Sequence, residues 1–213
     1  KAAKVAAIVA RSLDPLGTCV ETYLRNRAIT AMPLPPSIRF LSNAYGHYCA
    51  LVALATDTEG AVHGLQLIYL THEGRKAPLR VQKRTNKAHD GWSDVSAVRL
   101  PGTAPLILCE GVETALSVWQ ATGRETWACL GISNIARAPV PDGASVIVAR
   151  DGDEPGSKAD SQLRRAVTIL RGQGREVNVA APPVGLDFND VLQKDGEQAV
   201  RDLDDARFCL EGE

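Results

Sequence analysis

The chain has 213 residues, 45% of them apolar and 23% charged, with a formal net charge of −1. A chain of this size buries a good core, as one domain or two small ones. Its near-neutral balance excludes a polycation that coats nucleic acid by bulk charge, so any such contact must come from a local patch. The five cysteines (Cys19, Cys49, Cys109, Cys129, Cys209) are scattered with no C-x-x-C pair, which argues against a zinc ribbon and against a disulfide framework. Cys109 and Cys129 fall in apolar runs and are expected as small buried thiols. No apolar stretch reaches membrane-spanning length and no signal peptide is visible, so a reducing cytoplasm is the expected setting. The chain starts at Lys1 without a Met, and is expected to be a fragment of something longer.

In chain order, the Ala/Val-rich stretch from Lys4 to Leu13 and the amphipathic stretch from Val20 to Arg27 predict two helices, ended by Met32-Pro33-Leu34-Pro35-Pro36. From Ile38 to about Leu100 the pattern favours an antiparallel sheet. Ala50 to Ala55 and Val62 to Leu70 are apolar runs separated by the turn Thr56-Asp57-Thr58-Glu59-Gly60, a credible hairpin. One more short strand is expected between Gly91 and Leu100. Beyond the breaks at Pro101-Gly102 and Pro105 the texture changes. Strands are expected at Leu106–Cys109, Thr126–Leu130, Ser145–Ala149 and Glu176–Ala180. They alternate with helices at Glu113–Thr122, near Asn134–Ala138, and at Lys158–Arg171, and two helical pieces, Phe188–Lys194 and Glu197–Asp205, follow. Such alternation predicts a parallel α/β sheet with right-handed crossovers. The expected fold class is therefore α/β: a parallel sheet flanked by helices over residues 103–213, preceded by a small α+β domain with antiparallel strands over 1–102.

Three acidic clusters each follow an apolar run in the second half. They are Glu110-Gly111, Asp151-Gly152-Asp153 and Asp187-Phe188-Asn189-Asp190. Neighbouring strand ends lie about 5 Å apart, so the three clusters are expected to share one sheet edge. Converging carboxylates repel unless a cation sits among them, and hard oxygen donors on tight loops suit Mg²⁺ with substrate phosphates.

These motifs resemble the Toprim domain, shared by bacterial-type DNA primases, type IA and II topoisomerases and some nucleases. Glu110-Gly111-Val112-Glu113-Thr114-Ala115-Leu116, Asp151-Gly152-Asp153-Glu154-Pro155-Gly156 and Asp187-Phe188-Asn189-Asp190 are similar to the primase-type Toprim domains of plasmids, phages and integrative elements. Tyr23-Leu24-Arg25-Asn26-Arg27, Ile38-Arg39-Phe40 and Gly74-Arg75-Lys76-Ala77-Pro78 more loosely resemble the small domain preceding Toprim there. The resemblance implies that Glu110 is the general acid/base or an additional metal ligand. Asp151 and Asp153 would hold Mg²⁺ (or Mn²⁺), and Asp187 with Asn189 or Asp190 would complete a second metal position. It implies RNA primer synthesis from nucleoside triphosphates on a single-stranded DNA template, with a replicative helicase domain or partner. A Toprim nuclease, or a catalytically weak nucleic-acid-binding module, remains the alternative. No zinc is expected in this chain.

Two departures stand out. Arg150 precedes Asp151 where a small or apolar residue is expected, and Thr114 stands where some primases carry another acid. The stretch from Gly74 to His89 carries Arg75, Lys76, Arg80, Lys83, Arg84 and Lys87 with no acid. It reads either as a patch for a strand or triphosphate or as a solvated hairpin face. Arg75, Lys76, Lys83 and Arg84 are its candidate binding residues. Lys158, at a helix start after the acidic loop, is a candidate phosphate contact. Glu113 fits a first-turn carboxylate favoured by the helix dipole. Trp92 either stacks a base or packs in the core. The four histidines show no ligand spacing and are assigned no role.

Overall fold

The computed structural model describes residues 1–205; Cys209 lies outside the described residues. The chain divides into two compact units, the first Lys1–Val98 and the second from Arg99 onward.

The first unit is built on a four-stranded antiparallel sheet in the order β1-β2-β3-β4. Helices α1 (Ala2–Arg11) and α2 (Cys19–Arg25) precede the strands β1 (Ile38–Tyr45), β2 (Tyr48–Thr56), β3 (Val62–Leu70) and β4 (Lys83–Lys87). The helix α2 starts where Thr18 Oγ1 accepts the Val20 N–H, an N-cap that satisfies an otherwise orphan donor. β2 is apolar from Cys49 to Ala55 and buried there on both faces. Its even-numbered residues Ala50, Val52 and Leu54 join Leu65, Leu67 and Tyr69 of β3 against Val5 and Ile8 of α1. The odd-numbered Cys49 meets Cys19 of α2 on the opposite face. The β2–β3 turn is the expected one: Asp57 Oδ1 accepts the N–H groups of Glu59 and Ala61, and Gly60 supplies a φ of 87°.

Two strands escaped the sequence reading. The first, β1, lacks alternation and carries a bulge between Leu41 and Tyr45. The second, β4, is Lys-Arg-Thr-Asn-Lys, an edge strand whose charges suit an edge that must not pair with another chain. Between Gly91 and Leu100 the chain forms a 3₁₀ turn at Trp92–Asp94 and then β5 (Val98–Leu100). Trp92 is 4% exposed, so it packs in the core and is no stacking platform. Its ring fills the space above Gly64, where a Cβ would stand 2.5 Å from Trp92 Cε3. Gly64→Ala is expected to destabilise the chain by about 1–3 kcal/mol through overpacking, measured by urea unfolding. A cost within about 0.5 kcal/mol, the range of an innocuous surface change, would mean the ring moves freely.

The second unit is a five-stranded, mostly parallel sheet in the order β5-β7-β6-β8-β9. Its elements are β6 (Thr103–Cys109), α3 (Val112–Thr122), β7 (Arg124–Ala128), α4 (Ile132–Ile135), β8 (Ser145–Ala149), α5 (Lys158–Gly172), β9 (Glu176–Ala180) and α6 (Phe188–Asp205), whose turn is broken at Gly196. β6 pairs in parallel with both β7 and β8, and β8 with β9. The β6→β7 crossover therefore runs one way along the sheet, and the chain then returns to place β8 on the other side of β6. Right-handed crossovers put α3 on one face and α4 and α5 on the other; α3 packs with α6, and α4 with α5. That reversal is a topological switch point, where open α/β sheets take their ligands past the carboxyl ends of the flanking strands, here β6 and β8.

Candidate functional site

Pairing of Cys109 with Ala149, and of Ala149 with Ala180, aligns the ends of β6, β8 and β9. Glu110 follows Cys109 and Asp151 stands two residues past Ala149, so both lie at the switch-point edge. A second contact zips the β8 loop to the loop after β9. Gly152 N–H donates to the Leu186 carbonyl at 2.8 Å, and Gly185 N–H donates to the Gly152 carbonyl at 2.7 Å. This two-way clasp leaves no room for a side chain: a Cβ on Gly152 would lie 2.2 Å from the Pro183 carbonyl oxygen. It carries Asp187 into the neighbourhood of Asp151. Gly152→Ala is therefore expected to part the two loops and cut any metal-dependent activity by at least about 10-fold, the lower bound for disturbing the support of a ligand set. Retained activity with retained stability would show that the clasp does not position the acids.

The electrostatics reflect that crowding. Burial pushes the Asp151 carboxyl up to about 6, with the charges of Asp187, Glu110 and Asp153 adding to the rise. Thr114 Oγ1 donates to Asp151 Oδ1 at 3.2 Å and opposes it. The threonine at the position where another acid was anticipated thus serves the site as a donor. Asp187 and Asp190 form a reciprocal cap at the start of α6: Asp187 Oδ1 accepts the Asp190 N–H at 2.8 Å and Asp190 Oδ2 accepts the Asp187 N–H at 2.9 Å. Asn189 is turned elsewhere. It is fully buried and its amide donates to Ser117 Oγ of α3 at 2.9 Å, so it ties α6 to α3. Glu113 is buried in the first turn of α3.

Arg150 has a definite place. Its Nη1 pairs with Asp160 Oδ1 at 2.7 Å, its Nε donates to the Asp151 carbonyl at 3.1 Å and its Nη2 to the Asp153 carbonyl at 3.2 Å. The guanidinium holds the acidic loop by its backbone, not by its carboxylates. Asp160, in the first turn of α5, also accepts from Gly156 N–H and Arg164 Nε. Those bonds, the Gly156 amide foremost, hold its carboxyl down at about 2.

The donor set fits a hard divalent cation: it is all oxygen, rich in carboxylate and self-repelling. Among the described residues no three His, Cys, Asp or Glu side chains are gathered closely enough to hold an ion. The acids share an edge and feel one another without closing on a point. Of the basic candidates, Arg75, Lys83, Arg84 and Lys158 are exposed and Lys76 half-buried. Lys83 and Arg84 stand on the edge strand β4 and Arg75 and Lys76 on the β3–β4 connection, all in the first unit. Lys158 begins α5. A cavity of 590 Å³ opens at the opposite edge of the parallel sheet, lined by Leu106, Glu125, Trp127, Ser145 and Glu176 among others, and contains none of the predicted residues. Sequence reasoning missed Gly152 and Thr114 as site-builders; the tight Asp-Gly-Asp spacing was the available signal for the first.

A parallel α/β domain with an acidic switch-point edge defines the class. Residues 105–198 match the family model described as Toprim domain, and the chain carries a Toprim domain there. Residues 1–93 match the family described as Domain of unknown function (DUF7146). A DNA primase of Halalkalibacterium halodurans is 34% identical over 98 residues, 45% of this chain and 16% of that protein. The chain thus spans about one sixth of that relative's length. A DNA primase domain from Pseudomonas aeruginosa shares the fold, with a TM-score of 0.60 at 15% identity over 97% of this chain and 78% of that one. A DnaG primase catalytic domain bound to single-stranded DNA matches with a TM-score of 0.53 at 17% identity, over 75% of this chain and 52% of that one. The expected fold class holds: an antiparallel sheet, then a mostly parallel sheet flanked by helices, as in primase cores.

Proposed function

We propose that this chain is the catalytic portion of a DNA primase, making short RNA primers on single-stranded DNA for a plasmid, phage or integrative element. The observation that carries this reading is Asp151, held at the switch-point edge among Asp187, Glu110 and Asp153 with its carboxyl raised to about 6. Burial and those three charges together disfavour the ionised carboxylate, and a divalent cation among the acids would offset both. The primase relative, and the single-stranded DNA on a primase domain of the same fold, support the substrate class.

Asp151, Asp153, Asp187 and Asp190 would hold Mg²⁺ or Mn²⁺. When bound, the ion supplies charge neutralisation for the phosphate oxygens and the leaving group. Glu110, at the end of β6, takes the proton of the primer 3′-hydroxyl as its oxygen bonds to the α-phosphorus of the incoming nucleotide and pyrophosphate leaves. Arg75, Lys76, Lys83, Arg84 and Lys158 neutralise template or triphosphate charge. The residues Arg150, Gly152 and Thr114 hold the acids in place. A replicative helicase, as a further domain or a partner, would deliver the template.

The test is incorporation of labelled nucleotides on single-stranded DNA by this chain with Mg²⁺. Primer synthesis lost in Asp151→Asn and Glu110→Gln supports the reading. Strand cleavage without synthesis replaces it with a nuclease, and DNA binding indifferent to both changes leaves a binding module.

A further inference from the structure

Two of the histidines, unassigned from sequence, are brought together by the first unit. His63 of β3 and His89, two residues past β4, face each other with Nδ1 and Nε2 2.9 Å apart and their rings edge to face at 89°. The outer nitrogens are engaged as well. His63 Nε2 lies 2.8 Å from Asp57 Oδ2, and His89 Nδ1 lies 2.8 Å from the Asp90 carbonyl oxygen.

A proton count follows from these four contacts. A carbonyl oxygen has no proton to give, nor has an ionised carboxylate, so both outer nitrogens carry the N–H. A neutral imidazole has a single N–H. The inner nitrogens, His63 Nδ1 and His89 Nε2, are therefore left with lone pairs pointing at one another. At 2.9 Å two lone pairs repel unless a cation, whether a proton or a metal ion, lies between them.

We propose that His63 Nδ1 and His89 Nε2 are the two protein ligands of a site for a borderline divalent transition-metal ion of the Zn²⁺, Ni²⁺ and Cu²⁺ class. Imidazole nitrogen suits these ions, whereas Mg²⁺ prefers oxygen. The outer contacts are those that metal-binding histidines use to fix tautomer and ring orientation, one to a carboxylate and one to a backbone carbonyl. Asp57 is itself immobilised, its Oδ1 accepting the Glu59 and Ala61 N–H groups. The hydrogen bond with His63 is the main reason its carboxyl lies below the usual range. The backbone is fixed too, since Ala88 N–H donates to the His63 carbonyl at 2.9 Å and extends the β3–β4 ladder.

The fit requires a small adjustment. Two nitrogens bound at 2.0–2.1 Å to a tetrahedral ion stand about 3.3 Å apart, so the rings must part by about 0.4 Å and tilt so that their lone pairs meet at the ion. His89 is exposed and the His63 side chain is 25% exposed, so the rings have room to move and water completes the coordination shell. A site of two imidazoles and water is consistent with the lack of any three-residue ligand cluster among the described residues. An ion there clips β3 to the segment leaving β4, the edge strand that carries Lys83 and Arg84. It also departs from the expectation that this chain holds no zinc.

The test is calorimetric titration of the whole chain with Ni²⁺, after chelator treatment and in excess Mg²⁺ so that the carboxylate edge is supplied with its own cation. The expected result is one ion per chain, bound at least about 10-fold more weakly by His63→Gln and by His89→Gln, and about 10-fold more weakly by Asp57→Asn. Asp151→Asn should leave Ni²⁺ binding unchanged. No binding, or binding insensitive to His89→Gln (an exposed position that does not threaten folding), overturns the proposal. So does a ring ¹⁵N spectrum showing one shared proton that Ni²⁺ and Zn²⁺ do not displace, since the cation is then a proton only.

Discussion

Asp151→Asn is expected to make the fold more stable at neutral pH, in chelator, while abolishing activity. Asparagine keeps the shape of the side chain and an acceptor for Thr114 Oγ1, and removes the charge that burial disfavours and that Asp187, Glu110 and Asp153 repel. The sign follows from proton binding. The Asp151 carboxyl sits at about 6 in the folded chain, against about 3.9 unfolded. Between those values the folded chain holds a proton that the unfolded chain has lost. Stability therefore falls as pH rises through that window and stays low above it. A rise of this size corresponds to about 3 kcal/mol; Asp151 is only half-buried, and solvent screening trims this to about 1–3 kcal/mol. The Asn variant should unfold several degrees higher than the parent at pH 7–8, and the gap should close near pH 4. Added Mg²⁺ should raise the parent's midpoint and leave the variant's unmoved. Primer synthesis should fall at least about 100-fold, since losing a ligand exceeds the loss on disturbing an outer partner. An Asn variant less stable than the parent at pH 8 in chelator, or a gap that ignores pH, contradicts the crowding on which the proposed chemistry rests.

Most of the second unit was legible because its strands are buried on both faces and bounded by Gly and Pro. Ser145–Ala149 and Glu176–Ala180 fall at their expected bounds. The acidic positions were legible because parallel sheets put ligand groups past strand ends, and Glu110 and Asp151 stand there. The first unit was harder. β4 is composed of charged and polar residues and has no period-two apolar signal; only its pairing with β3 makes it a strand. The same pairing brings His63 to His89 across 26 positions, which no spacing rule anticipates. Arg150 was legible as an oddity but not as a solution. Its partner Asp160 is ten residues on, in a helix turn that also reads as an ordinary acidic N-terminus. Asn189, grouped by motif with the acids, is drawn into the α3–α6 contact by its own amide.

Arg150→Ala should be the most damaging change outside the acids. The Arg150 side chain is 10% exposed and Asp160 only 3%. Breaking a buried pair by removing one member costs about 3–5 kcal/mol. Asp160 keeps Arg164 and the Gly156 amide, which favours the lower end, about 3 kcal/mol. The carbonyls of Asp151 and Asp153 also lose their guanidinium donor, so the acidic loop is freed at the backbone that aims its carboxylates. Arg150→Lys should recover less than half of the loss, because one ammonium cannot span three acceptors held by a planar fork. Urea unfolding of Arg150→Ala, Asp160→Ala and the double variant should return a coupling energy of about 1–3 kcal/mol. Activity should fall through a weaker apparent affinity for Mg²⁺, partly restored at high Mg²⁺, since the ligands remain and only their alignment is lost. If Arg150→Ala instead unfolds within about 0.5 kcal/mol of the parent and needs no extra Mg²⁺, then the arginine is ornamental. The acidic loop would in that case be held by the Gly152 clasp alone.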